Sequence, residues 1–204
     1  MESTVYVVDD DGMVRTALLR LLASAGLKAR GFASAEEFLQ EKLPGTPCCV
    51  LLDMKMPGPD GFEVVRQLEL RGDAIPVIFI SGYGTIPATV QAMKAGAHEF
   101  LTKPIQDERL LGAVQDALAI AGRDLHQRVE QAACTSRLET LTPREREVLE
   151  LAIGGLLNKQ IATELGISEI TVKVHKRRVM DKMQTKTLAD LVRAAERLQI
   201  HSAR

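Results

Sequence analysis

The sequence predicts two joined domains: a doubly wound α/β unit on a five-stranded parallel sheet, then an all-α unit carrying a helix-turn-helix. Three observations carry that prediction. Up to Lys103, short β-branched runs alternate with stretches whose apolar residues recur at helical spacing. Beyond Thr142 the pattern is helical throughout and is punctuated by glycines. The charge divides in the same way: residues 1–122 hold 11 Lys/Arg against 16 Asp/Glu, and residues 138–204 hold 12 against 9, so a net charge of −1 conceals an acidic front and a basic back. That split favours two domains with different partners, the rear one a polyanion.

Thr4–Val8 is a β-branched run that ends in Asp9-Asp10-Asp11. Met13, Val14, Leu18, Leu21 and Leu22 then recur at helical spacing until Gly26 stops them. Leu27–Phe32 reads as the second strand and Ala35–Leu43 as the second helix, capped by Ser34. Cys48–Asp53 is the central strand, an apolar run too short for a core helix and closed by Pro57-Gly58, as expected of a strand covered on both faces. Phe62–Leu70 supplies a helix, Pro76–Ile80 a strand, Pro87–Ala95 a helix ended by Gly96, and His98–Leu101 the last strand before Lys103-Pro104.

Open parallel sheets bind ligands beyond the carboxyl ends of their strands, where the strand order reverses. Here the first strand delivers Asp9 and Asp10, the third delivers Asp53, and the fifth is followed by Lys103. Any one of these is an ordinary cap, turn or surface residue. All of them at strand ends, in this order, describe one crevice. Crowded carboxylates repel, and each has a raised pKa unless a cation compensates. Lys103 and a divalent metal meet that need, and an all-oxygen site with few protein ligands suits Mg²⁺, which also bridges carboxylate to phosphate. The crevice is suited to phosphoryl chemistry centred on Asp53.

From Asp107 the residues Leu110, Leu111, Val114, Leu118, Leu125 and Val129 continue at intervals of three, four or seven. This predicts one helix that closes the first domain and runs on as a linker to Ala133, followed by an irregular piece at Cys134–Glu139. An isolated coil is the alternative, since Gly122 costs such a helix about 1 kcal/mol against Ala. The domains are accordingly placed at residues 1–120 and 139–204, with a helical linker at 121–138.

Thr142-Pro143-Arg144-Glu145 is a complete helix start, with Thr as N-cap, Pro at the first helical position and Glu three residues after the cap. That helix runs to Ile153 and ends at Gly154-Gly155. Asn158 caps a short helix, Lys159–Leu165, stopped by Gly166, and Ser168 caps a longer one, Glu169–Met183. On the longer helix Val172, His175, Val179 and Met183 share one face, whereas Lys173, Val174, Arg177 and Asp181 lie opposite. An outward face of Lys, Val and Arg fits the major groove, where Arg or Lys pairs with guanine and an apolar side chain meets a thymine methyl. Thr171, Lys176, Arg178 and Lys182 flank it and are better placed for phosphates. A basic solvated helix is the competing reading, and His175 reads as a packed histidine.

Cys48, Cys49 and Cys134 lack metal-ligand spacing, and two of them lie in the central strand, which points to a reducing compartment. No apolar run approaches the roughly 18 residues of a membrane span. A cytoplasmic protein that does not enter the membrane is expected.

Val7-Val8-Asp9-Asp10, Leu52-Asp53-Met54-Lys55-Met56-Pro57, Ile80-Ser81-Gly82 and Phe100-Leu101-Thr102-Lys103-Pro104 resemble the receiver domain of bacterial response regulators. The resemblance covers residues 1 to 120 and implies a flavodoxin-like fold in which Asp53 is phosphorylated by a sensor histidine kinase. It further implies that Asp9, Asp10, Asp53 and the backbone carbonyl of Lys55 hold Mg²⁺ and that Lys103 neutralises the phosphoryl oxygens. Ser81 would hydrogen-bond the new phosphoryl group and Phe100 would swing inward behind it. Ser81 stands where the family commonly has Thr, so the hydroxyl is kept and a methyl lost.

Leu141-Thr142-Pro143-Arg144-Glu145, Asn158-Lys159-Gln160-Ile161-Ala162 and Ile170-Thr171-Val172-Lys173-Val174-His175 resemble the C-terminal helix-turn-helix of the NarL/FixJ (LuxR-type) regulators. By that resemblance Lys173, Val174 and Arg177 face bases and the helix from Thr187 to Gln199 is a dimerisation element; Lys159, with the flanking Thr171, Arg178 and Lys182, completes the candidate DNA-binding set. The two resemblances together imply a FixJ-like transcription factor that is no metabolic enzyme. It would dimerise on phosphorylation, bind promoter DNA and work with RNA polymerase, mostly to activate. A Mg²⁺ phosphotransferase acting on a small molecule through Asp53, and a protein that merely sequesters a kinase, are the rivals. Neither accounts for the C-terminal helices, and a gel shift on genomic fragments separates both.

Overall fold

The structure is a computed structural model that describes residues 2–82 and 86–200. It divides into two compact units, Met1–His126 and Gln127–Arg204. In the first unit the strands are β1 (Thr4–Val8), β2 (Lys28–Phe32), β3 (Cys48–Asp53), β4 (Val77–Ser81) and β5 (Glu99–Thr102). They pair in parallel in the order β2-β1-β3-β4-β5, with α1 (Gly12–Ser24), α2 (Ala35–Leu39), α3 (Gly61–Leu70) and α4 (Ile86–Lys94) in the crossovers. This is the predicted doubly wound sheet, with its switch point between β1 and β3.

The period of two along each strand divides the core. Tyr6 and Val8 of β1 join Val50 and Leu52 of β3 and the helical residues Phe38, Val64 and Leu68 on one face. Val5, Val7, Cys49 and Leu51 meet Leu18 and Leu22 of α1 and Leu110, Val114 and Ala117 on the other. β1, β3 and β4 are buried along their whole lengths, whereas β2, at the sheet edge, is mostly exposed. Each large apolar side chain fully withdrawn from water contributes about 1.5–3 kcal/mol. The hydrophobic runs read from the sequence are therefore also the main source of stability.

α2 ends at Leu39, not at the predicted Leu43. Pro44 disfavours helical backbone at Leu43. The Arg71 guanidinium, reaching over from the end of α3, takes the carbonyls of Leu39 and Glu41, satisfying groups that a longer helix would have paired internally.

α5 spans Asp107–Glu139 without a break, so the irregular piece expected at Cys134–Glu139 is helical. Its Leu110, Ala113, Val114 and Ala117 are buried in the first unit. Cys134 and Leu138 pack in the second unit with Leu141, Leu149, Val179, Met183 and Leu191, and that packing extends the helix past Ala133.

The second unit continues with α6 (Pro143–Ile153), α7 (Asn158–Leu165), α8 (Glu169–Met183) and α9 (Leu188–Arg197). The capping box predicted at Thr142 is formed: the Thr142 amide donates to Glu145 and the Glu145 amide to the Thr142 hydroxyl, at 2.9 and 3.3 Å. Ser168 caps α8 by accepting from the Thr171 amide at 3.1 Å. The cap of α7 is Leu157, one residue earlier than expected. Its amide donates to the Gln160 side chain at 2.8 Å, so Asn158 becomes the first helical residue. Gly166 joins α7 to α8 at φ +64°, a conformation that a side chain would oppose. Val148, Ala152, Ile161 and Val172 close the core between α6, α7 and α8.

Candidate functional site

The acidic crevice follows from strand register. Val8 lies opposite Leu52, so Asp9, just past β1, and Asp53, the last residue of β3, emerge side by side at the switch point. Ser81 lies opposite Thr102, which places Lys103 one residue beyond β5 on the same edge of the sheet. The Lys103 amide donates to the Ser81 carbonyl at 2.8 Å and fixes that exit.

The Lys103 ammonium then donates to Asp9 Oδ2 and to Asp53 Oδ1, at 2.9 Å each. Both carboxylates are buried, and Asp53 takes a further bond from the Lys55 amide to Oδ2 at 3.1 Å. Burial pushes the Asp9 carboxyl above the ordinary carboxylate range; the Lys103 ammonium and the Asp11 amide oppose this, and the Asp53 charge adds to it. Burial works against the Lys103 ammonium too. Its hydrogen bonds to Asp53 and Asp9, and their charges, outweigh that cost and hold its pKa above the ordinary lysine value.

Asp10 does not join this bridge. It stays exposed at the rim, and among the described residues no three His, Cys, Asp or Glu side chains stand close enough to hold a metal. The donor chemistry nonetheless fits a hard divalent cation: two carboxylates, Asp9 and Asp53, face one ammonium, and a third, Asp10, stands at the rim, all of them oxygen donors. Holding it with Asp10 requires that side chain to turn inward from the rim.

Ser81 is buried at the end of β4 beside the crevice, whereas Phe100 is buried in β5 opposite Phe79, within the first core cluster. A neighbour that sequence reasoning missed is Arg15, whose Nη1 donates to the Asp9 backbone carbonyl at 2.6 Å. In the sequence it is an unremarked charged residue in the first turns of a helix.

In the second unit the two faces predicted for α8 are observed. Val172, Val179 and Met183 are buried, whereas Lys173 and Val174 are exposed and the Arg177 side chain is 86% exposed. Arg177 Nε is 4.0 Å from Asp181 Oδ2, an exposed pair that restrains the guanidinium little. Arg178 and Lys159 are exposed, Lys176 and Thr171 half-buried, and the Thr171 hydroxyl pairs with that of Ser168 at 2.8 Å. Lys173, Lys176, Arg177 and Lys186 line a cleft beside α8, a role for Lys186 that the sequence did not indicate. His175 is half-buried on the packed side of α8, and its buried Nδ1 has no hydrogen-bond partner among the described residues.

Lys182 corrects the sequence reading. Expected beside DNA phosphates, its ammonium turns inward to the Glu145 carboxylate at 2.6 Å and the Thr140 carbonyl at 2.9 Å. A buried carboxylate draws it there, and it is a packing group of the helix bundle.

Comparison with known proteins finds two family matches. The response regulator receiver domain matches residues 5–115, and the luxR family of bacterial regulatory proteins matches residues 139–195. The response regulator protein TmoT of Ectopseudomonas mendocina is 45% identical over 198 residues, covering 97% of this chain and 90% of that protein. The transcriptional regulatory protein FixJ of Bradyrhizobium diazoefficiens is 40% identical over 194 residues, covering 95% and 94%. Among solved structures, that of response regulator StyR is 46% identical, with a TM-score of 0.87 over 96% of this chain and 99% of that one. Among the described residues no helix is long and apolar enough to cross a membrane. With a parallel sheet that gathers Asp9, Asp53 and Lys103, and a helix-turn-helix whose α8 turns a basic face outward, the chain belongs to the response regulators that join a receiver domain to a LuxR-type DNA-binding domain and regulate transcription.

Proposed function

We propose that Asp53 is the phosphoacceptor and that a phosphohistidine on a sensor kinase is the donor. The observation that carries this reading is the Lys103 ammonium held 2.9 Å from both Asp9 and Asp53. An Asp53 carboxylate oxygen forms the new bond to phosphorus as the bond to the histidine nitrogen breaks. Charge neutralisation is most of what that transfer needs. Lys103 supplies one cation, poised to follow the phosphoryl oxygens. Asp9, Asp10, Asp53 and the Lys55 carbonyl would hold Mg²⁺, whose charge would supply the second. The domain's catalysis is confined to its own phosphorylation and dephosphorylation.

Ser81 donates its hydroxyl to the new phosphoryl group, and Phe100 packs behind it. The two favoured positions bias the receiver towards its active population. Ile86, Val90 and Met93, exposed on α4, supply an apolar row for self-association, which is the output of the switch. Pairing places two copies of α8 on successive half-sites of promoter DNA, with Lys173, Val174 and Arg177 on bases and Lys159, Thr171, Lys176 and Arg178 supporting the backbone contacts. RNA polymerase is the further partner and the cytoplasm the site of action. The residue boundaries 1–120, 121–138 and 139–204 divide these tasks, although the end of the 121–138 helix also packs in the core of the DNA-binding unit.

The test is molecular mass in solution before and after treatment with a small phosphoryl donor and Mg²⁺, beside Asp53→Asn. A monomer-to-dimer shift in wild type and none in the variant is expected. Confirmed phosphorylation without a shift would sink self-association as the output, and phosphorylation of Asp53→Asn would sink the assignment of the acceptor.

A further inference from the structure

We infer that Arg15 is a positioning residue for Asp10, an inference that rests on the phosphoacceptor reading of the crevice. Asp10 is exposed and takes no part in the bridge formed by Lys103. Where its carboxylate can swing is therefore set by its backbone, and the peptide planes on both sides of it are held. On one side Arg15 Nη1 donates to the Asp9 carbonyl at 2.6 Å and fixes the peptide between Asp9 and Asp10. On the other the Asp11 amide donates to Asp9 Oδ1 at 2.9 Å and fixes the peptide between Asp10 and Asp11. The second clamp belongs to the acidic motif itself, whereas the first comes from α1.

A helical side chain leans towards the N-terminus of its helix, which directs Arg15 back over the loop it follows. Its stem needs room, and Gly31 of β2 provides it. A Cβ at Gly31 would lie 3.2 Å from both Cγ and Cδ of Arg15 and 2.9 Å from Leu19 Cδ1. The bare backbone of the edge strand is thus the floor on which the arginine lies. Gly31 and Arg15, from different elements, form one support beneath the loop of the acidic pair.

The test is the Mg²⁺ dissociation constant of the full chain by calorimetry, for wild type, Arg15→Ala, Gly31→Ala, Asp10→Asn and the double variant Arg15→Ala/Asp10→Asn. Residues that orient a metal's ligands typically change affinity 10–100-fold when removed. Arg15→Ala should weaken binding about 10-fold. Gly31→Ala, which crowds the stem but keeps the guanidinium, should weaken it less. In the Asp10→Asn background the loss of Arg15 should add almost nothing, because the arginine acts through that aspartate.

A merely structural Arg15 would lower the metal-free melting temperature and leave the dissociation constant alone, which overturns the inference. So would fully additive losses in the double variant. Tighter binding by Arg15→Ala would mean that the guanidinium acts by charge repulsion, and would overturn it as well. Wild type that takes up no Mg²⁺ overturns the phosphoacceptor reading, and the inference with it.

Discussion

Lys182, expected to reach outward from α8, points its ammonium inward to Glu145 on α6, 2.6 Å away and only 3% exposed. The same ammonium takes the Thr140 carbonyl, just past the end of α5. One side chain thus joins the start of the helix bundle to its DNA-facing helix. Burial alone would raise the Glu145 pKa. The Lys182 ammonium, together with the Thr142 amide and hydroxyl, outweighs it and holds the carboxyl below the ordinary range.

Lys182→Met should therefore leave a buried carboxylate without its cation and destabilise the second unit by about 1–3 kcal/mol. A lowered folded pKa contributes stability at pH values above the ordinary carboxylate range. That contribution is lost as pH falls through the depressed folded value. Urea midpoints of the wild type should drop on acidification below about pH 4.3, the unperturbed Glu value. The acid limb of Lys182→Met should be flatter.

Lys103→Met should separate two properties of the crevice. With the ammonium gone, Asp9 and Asp53 lack their compensating charge, so Mg²⁺ should bind more tightly. Phosphorylation by a small donor should fall by about 100-fold, the usual loss when one preorganised donor to a charged transition state is removed. Calorimetry reads the first and intact mass the second.

Arg177→Ala and Arg178→Ala should weaken DNA binding in different ways. Loss of Arg177, proposed above to meet bases, should cost about 1–3 kcal/mol on the preferred sequence and relax the choice at one base position. Loss of Arg178, proposed above to meet phosphate, should weaken all sequences alike and reduce the salt slope by about one. Anisotropy titrations of labelled promoter DNA over a salt series distinguish the two.

Cys48 and Cys49 should resist thiol reagents in the folded protein. Both are buried in β3, and burial pushes their thiols up to about 11 and about 12, so almost no thiolate exists at neutral pH. Labelling of these two residues should follow unfolding of the sheet, a rate that mass spectrometry of the tryptic peptides can follow in urea.

Asp9, Asp53 and Lys103 were legible in the sequence because each follows or ends an apolar run, and a parallel register brings such ends together with no further information. The buried and exposed faces of α8 were legible for a similar reason, since angle around a helix is a property of spacing alone. Lys182 was not. Spacing gives the direction of its Cβ, but a long side chain bends to whatever acceptor is near, and its acceptor is 37 residues away in sequence. The end of α2 depends likewise on Arg71, 32 residues from Leu39, and the place of Arg15 on a glycine of another strand.

The passage of α5 into the second core bears on where the C-terminal half can be cut free. The luxR family match begins at residue 139, and a fragment started there follows that boundary. It would discard Cys134 and Leu138, open Met183 and Leu191 to water, and strip Arg197 of Glu130, which lies 3.5 Å from it. A fragment begun at Gln127 keeps all of these. The shorter piece should express poorly or aggregate while the longer one stays monodisperse, because the fold of this half begins inside the helix that the family boundary leaves out.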